Sequence, residues 1–205
     1  VGYYPEDADL LHGLAKAYAE SDPSQMEEPL HTAMFINPDH VPSLLLQAHN
    51  QADAEQYDVA NGILKAIFKV NPHHAESWAL QAAIYNVRNE PEKAKAARAS
   101  GLKFWKTNPL VDHEIGKKLS SKYLFAEGAE HQRQALQFSK DYIPAKTQLA
   151  QDLLRLGEED EGWKLAAEAH EADGYDVTTF NLLTLYDSLK NYVTIERNGF
   201  LLRMT

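Results

Sequence analysis

Apolar residues recur at steps of three and four through most of this chain, the spacing of helices with one buried stripe. The pattern is clearest between Pro38 and Pro72. Leu44, Leu45, Ala48 and Ala52 form one stripe, and a polar break follows at Asp53-Ala54-Glu55-Gln56. Tyr57, Ala60, Leu64, Ile67 and Phe68 then form a second stripe. Neither helix buries its stripe alone, so two antiparallel helices cover part of it and the next pair covers the rest. Asn-Pro recurs at Asn37-Pro38, Asn71-Pro72 and Asn108-Pro109, with a further proline at Pro144; successive prolines lie 34, 37 and 35 residues apart. Proline lacks an N–H and restrains the residue before it, so each one punctuates two helices.

This period predicts five helix pairs, at about 7–38, 40–72, 74–109, 111–144 and 145–174. The third pair is longer and ends in Leu102-Lys103-Phe104-Trp105-Lys106, which suggests an extended helix. A lone helix at about 177–190 (Val177, Phe180, Leu182, Leu183, Leu185, Tyr186, Leu189) is expected to cap the last pair. The pattern then changes. Tyr192–Glu196 and Phe200–Met204 are strand-like, and Asn198-Gly199 between them is a hairpin turn signal. The expected fold class is all-α, an α-α superhelix over residues 1–190. Residues 191–205 form a β-hairpin, read as the possible start of a downstream domain.

Small residues fall in phase with the period. Ala15, Ala48 and Ala82 lie in successive first helices, and Ala60, Ala94 and Gly162 lie early in second helices. Tyr18 and Tyr85 follow Ala15 and Ala82 by three residues, and Trp78 precedes Ala82 by four. A small side chain lets two helix backbones approach while a ring fills the space beside them. On these residues the chain resembles the tetratricopeptide-repeat family, over about residues 7–190. The matching sets are Leu11-Ala15-Tyr18, Leu44-Ala48-Tyr57-Ala60-Pro72 and Trp78-Ala82-Tyr85-Ala94, followed by Tyr123-Gly128-Pro144 and Ala150-Gly157-Gly162-Ala169. Departures from the pattern are Gln51 where Tyr is usual, Glu27 where the second-helix Ala is usual, Ser120 where Ala is usual, and Gly174 in place of the closing proline.

Composition narrows the function classes. Twenty basic against 30 acidic residues leave a formal charge of −10, which disfavours nucleic acid as a partner. The basic stretch Lys93, Lys95, Arg98, Lys103, with Trp105 beside Lys106, reads as a solvated helix face on such a chain. Cysteine is absent, so a disulfide framework, a thiol nucleophile and cysteine zinc sites are excluded. No apolar run approaches the ~20 residues of a membrane span. The opening Val1-Gly2-Tyr3-Tyr4-Pro5 carries neither an initiator Met nor a signal-like stretch, as expected of a piece trimmed from a longer chain.

The sequence carries no recognised catalytic motif spacing. His113-Glu114 opens like a zincin motif, but Lys117 holds the place of the second histidine. Adjacent His73 and His74 diverge on a helix, so no metal or other cofactor is expected. Glu158-Glu159-Asp160-Glu161 reads as dipole-complementing acids at a helix N-terminus. The resemblance implies that first helices line a concave surface. Placing the chain on the family pattern puts Leu45, His49, Ala79, Ala83, Asn86, Lys117 and Ser121 near it, as candidate peptide-binding residues. Ala79 and Ala83 would form a groove floor, with Asn86 bonding a peptide backbone and Lys117 meeting a carboxylate. The expected role is a non-catalytic scaffold for a protein or peptide segment. A helical array followed by a hairpin is also similar to some bacterial proteins with a gluzincin-type peptidase-like domain downstream. That likeness implies the alternative of a helical accessory arm of a larger enzyme, such as a metallopeptidase with its catalytic domain beyond residue 205.

Overall fold

The structure is a computed structural model that describes residues 6–204; the Val1–Pro5 opening and Thr205 lie outside the described residues. It divides into two compact units, Val1–Lys106 and Thr107–Thr205. The first unit holds α1 (Ala8–Ser21), a 3-10 turn at Pro23–Gln25, α2 (Glu27–Ile36), α3 (Val41–Asp53), α4 (Tyr57–Val70), α5 (Ala75–Val87) and α6 (Pro91–Gly101). The second holds α7 (Pro109–Ser121), α8 (Phe125–Phe138), α9 (Ile143–Leu156), α10 (Glu159–Ala172) and α11 (Val177–Leu189). A single antiparallel hairpin follows, β1 (Val193–Arg197) with β2 (Phe200–Met204).

The period is sharper in three dimensions than in the proline spacing. The N-caps of α3, α5, α7, α9 and α11 are His40, His74, Asn108, Tyr142 and Asp176, each 34 residues after the last. The turns inside four successive pairs keep the same interval. Glu55, Asn89, Tyr123 and Gly157 all take positive φ, between 52° and 82° with Asn198 of the hairpin turn included. The next N–H then reaches back to a carbonyl five residues earlier: Gln56 to Gln51, Glu90 to Tyr85, Leu124 to Leu119 and Glu158 to Leu153, at 2.8–3.1 Å. This is the left-handed helix stop that satisfies orphan carbonyls.

The prolines mislead in one place. Asn37 and Asn71 cap the C-termini of α2 and α4, and their side chains accept from the N–H of Asp39 and His73. Asn108 instead caps the N-terminus of α7, accepting from Leu110 N–H, and Pro109 is the first residue of that helix. Pro109 therefore opens the fourth pair rather than closing the third. The expected helical extension over Leu102–Lys106 is absent. The α6 helix stops at Gly101, its Ser100 hydroxyl turned back onto the Ala96 carbonyl, and Phe104 leaves the axis to meet the ring of His73 at 4.1 Å. Two further registers shift. Gly116, not Ser120, is in phase with Ala48 and Ala82, and the buried Met26, not the exposed Glu27, is in phase with Ala60 and Ala94.

In the first unit one cluster joins α3, α4 and α5 through Leu44, Leu45, Ala48, Ala52, Ala60, Leu64, Ile67, Leu80 and Ile84. A smaller one joins Ala15, Met26 and Leu30. In the second unit Ala129, Leu149 and Leu153 form one apolar cluster, with Leu136 and Leu165 against it.

Candidate functional site

The seven candidate residues differ in accessibility. Leu45 is 9% exposed and belongs to the first unit's core, while Ala79 and Ala83 on α5 are 0% exposed. His49, one turn after Leu45 on α3, and Asn86, in the last turn of α5, stay half-buried. Lys117 and Ser121 are exposed on α7 of the second unit, where the Ser121 hydroxyl donates to the Lys118 carbonyl at 2.7 Å. The small alanines are thus interior surfaces that seat α5, and the polar members keep solvent access.

Around them lies a polar framework that the periodicity did not reveal. Gln81 is buried on α5 and its amide donates to Asn61 Oδ1 on α4 at 3.3 Å. At the end of α5, Arg88 bridges Asp58 at 2.6 Å and Glu90 at 2.9 Å, and Lys93 pairs with the same Glu90. Capping histidines repeat. The His40 ring contacts Ser43 Oγ at 2.8 Å and Asp9 at 3.0 Å, and the His74 ring contacts Ser77 Oγ at 2.9 Å. His74, one of the adjacent histidine pair, is thus engaged in holding a helix start.

The second unit carries buried polar side chains where the first has aliphatic ones. Asp112, Gln132 and Asp152 are in phase with Leu44, Leu64 and Ile84. His131 Nδ1 meets Asp112 Oδ1 at 2.8 Å. The His113 Nδ1–H donates to Gln132 Oε1 at 2.9 Å, and the Gln132 amide donates to the His113 carbonyl at 3.1 Å. Asp152 accepts from Ser120 Oγ at 2.8 Å and from Gln148 Nε2 at 3.0 Å. Burial pushes the Asp152 carboxyl above the usual carboxylate range, opposed by the Ser120 and Gln148 bonds. Burial also pulls the His113 imidazole below its ordinary value, opposed by the Gln132 bond and the Glu114 charge. The Ser120 hydroxyl lies 2.8 Å from Asp152 Oδ2 and 2.9 Å from the Gly116 carbonyl, the two acceptors for its proton.

Also within the second unit is a cleft of about 360 Å³ lined by Leu154, Trp163, Leu182, Leu185 and Leu189, with Arg155, Glu159 and Arg203 at its polar edge. Trp163 and Tyr186 stack in a tilted pair at 4.9 Å. Among the described residues no group of three or more His, Cys, Asp or Glu is placed to hold a metal ion, and no helix is long and apolar enough to cross a membrane.

No protein-family model matches the chain, and no curated protein sequence matches it. Solved structures do. A chain of the APC/C hetero-tetramer Cut9–Hcn1 matches with a TM-score of 0.59 at 15% identity, over 93% of this chain and 38% of that one. PilF of Pseudomonas aeruginosa matches with a TM-score of 0.50 at 13% identity, over 88% of this chain and 83% of that one. This chain therefore spans well under half of the APC/C chain it resembles. The neighbours are tetratricopeptide-repeat proteins, and the helical hairpins recurring at 34 residues give this chain the tetratricopeptide-repeat solenoid fold.

Proposed function

We propose that the chain is a non-catalytic scaffold that binds a protein or peptide segment along the surfaces of its first helices. The observation that carries this reading is the serial repeat itself. Helical hairpins in constant phase present the same helix edge again and again, a surface suited to an extended ligand. The likeness to a chain of the Cut9–Hcn1 hetero-tetramer, a protein assembly, supports the same class of role. In the first unit the ligand-facing groups are His49 and Asn86; in the second they are Lys117 and Ser121. Ala79 and Ala83 act beneath that surface as close-packing residues, which is why their side chains are small.

Fluorescence titration with candidate peptides tests the reading, since Trp78 and Trp105 in the first unit and Trp163 in the second serve as intrinsic reporters. His49→Ala with Asn86→Ala is expected to weaken binding of a confirmed peptide by about tenfold, the loss of one or two hydrogen bonds to ligand. Unchanged affinity in that double variant, with helical content retained, removes the surface assignment.

A further inference from the structure

The hairpin has one apolar face. Its register pairs Val193 with Met204, Ile195 with Leu202 and Arg197 with Phe200, so these side chains share one face. Thr194, Glu196 and Arg203 belong to the other. Arg203 reaches α10 and donates to both carboxylate oxygens of Glu159, at 3.1 and 2.5 Å. It also borders the cleft that Leu182, Leu185 and Leu189 line. The face that carries Arg203 is therefore the one turned toward the helices, and the apolar face is turned away from them. Val193, Ile195, Phe200, Leu202 and Met204 are between 47% and 78% exposed.

Leu182, Leu185 and Leu189 line the cleft that Arg203 borders, while Thr194 and Glu196 stay exposed. A shift of one residue in the pleat would exchange the faces, and the Arg203–Glu159 pair holds the observed one. We propose that the outward face is a self-association surface, and that its occupant is the same face of a second copy of the chain, related by a two-fold axis.

Three observations favour that occupant. The face is self-complementary: five uncharged apolar side chains, with Arg197 the one charge at the turn end, offer no charge pattern to select a different partner. Residues 193–204 carry Glu196, Arg197 and Arg203, a local charge near neutral within a chain of −10, so the repulsion between copies originates elsewhere. The area also fits. The five side chains expose on the order of 500 Å², at the upper end of what monomers show, and two such faces bury about 1,000 Å², the lower bound of a specific interface. A two-stranded hairpin is marginal alone, and stacking two of them gives each a second layer.

The test uses the 205-residue chain. In sedimentation equilibrium from about 1 to 200 µM, the range suited to a small interface, the weight-average mass is expected to rise from the monomer value toward twice it. Ile195→Asp with Leu202→Asp is expected to hold the mass at the monomer value with the helical circular dichroism unchanged. Because the chain has no cysteine, single-cysteine variants give a second readout that leaves the rest of the face intact. Leu202→Cys on the outer face is expected to form a disulfide-linked dimer under mild oxidant at least about tenfold faster than Thr194→Cys on the inner face. A monomer mass throughout in the unaltered chain, or equal cross-linking rates for the two cysteine variants, overturns the proposal.

Discussion

The two units use one backbone repeat and fill three of its phases with different chemistry. In the first, Leu44, Leu64 and Ile84 meet Ala48 and Ala60 in an aliphatic interior. In the second, the same phases hold Asp112, Gln132 and Asp152, each 0% exposed, and the helices touch through Gly116 and Gly128. Aliphatic packing is non-directional and adapts to small changes of shape. A buried polar set is directional, and each member left without its partner carries a desolvation penalty. The lesson is that the 34-residue hairpin specifies where side chains meet, not what chemistry fills the meeting point.

The comparison breaks most sharply at the small positions. A Cβ on Gly116 would stand 2.6 Å from Gln132 Nε2 and 2.7 Å from the Gly128 carbonyl, and backbone cannot step aside as a side-chain end can. Gly116→Ala is expected to destabilise by about 3 kcal/mol through overpacking, whereas Ala48→Gly in the first unit loses about 1 kcal/mol of helix propensity. Urea denaturation of both variants checks this; equal losses would show that α7 and α8 separate freely.

The interior chemistry is the next discriminator. Gln132→Leu strands the His113 ring N–H and the His113 carbonyl, so a loss of about 2 kcal/mol is expected. Leu64→Met conserves volume in the aliphatic core and should stay below about 1.5 kcal/mol. A reversed order in denaturation midpoints would mean that the polar set contributes no more than generic filling.

Titration separates the two interiors more gently. Burial holds the His113 imidazole below its ordinary value of about 6.5, so the folded state resists the proton that the unfolded state accepts. Stability is therefore full above that value and falls as pH drops through it toward the lowered folded value. His12 in the first unit is displaced in the same direction, mainly by burial. Comparing His113→Gln with the unaltered chain at pH 7.5 and 5.5 isolates the second unit's share, and the variant should lose less on acidification. Asp152 has the opposite sign. Its raised folded value means that stability is gained as pH falls through it, so Asp152→Asn should be least harmful at neutral pH.

The smallest effect is at the turns, where the units agree. Tyr123 takes φ 64° in the position that Gly157 fills one repeat later. Tyr123→Gly relieves left-handed strain and is expected to stabilise by about 0.5–1 kcal/mol, read as a raised thermal midpoint. No change would show that the Tyr123 ring, edge-on to Phe125 at 5.9 Å, compensates for the strain.

Much of the helical order was legible because local rules write it into neighbouring residues. The stripes around Leu44–Ala52 and Tyr57–Phe68 predict α3 and α4, and Asn198-Gly199 predicts the hairpin turn. The third Asn-Pro was misplaced because a proline serves equally after one helix or as the first residue of the next, and only the bond from Leu110 N–H to Asn108 decides between them. Of the candidate surface, the phase of Ala79 and Ala83 was readable and their complete burial was not, since burial depends on what other elements lay over them.

By itself, then, the amino-acid order determined the serial helices, their 34-residue phase and the strand pair at the end, all consequences of hydrogen bonding and apolar spacing within about forty residues. Tertiary structure alone decided that Gln132 answers His113, that Asp152 gathers Ser120 and Gln148, and that Arg203 turns the hairpin's apolar side outward. Apart from the Gln148 bond, which is local to α9, those outcomes rest on pairings between residues 19 to 44 positions apart or on which strand face meets a helix, and no local periodicity encodes either.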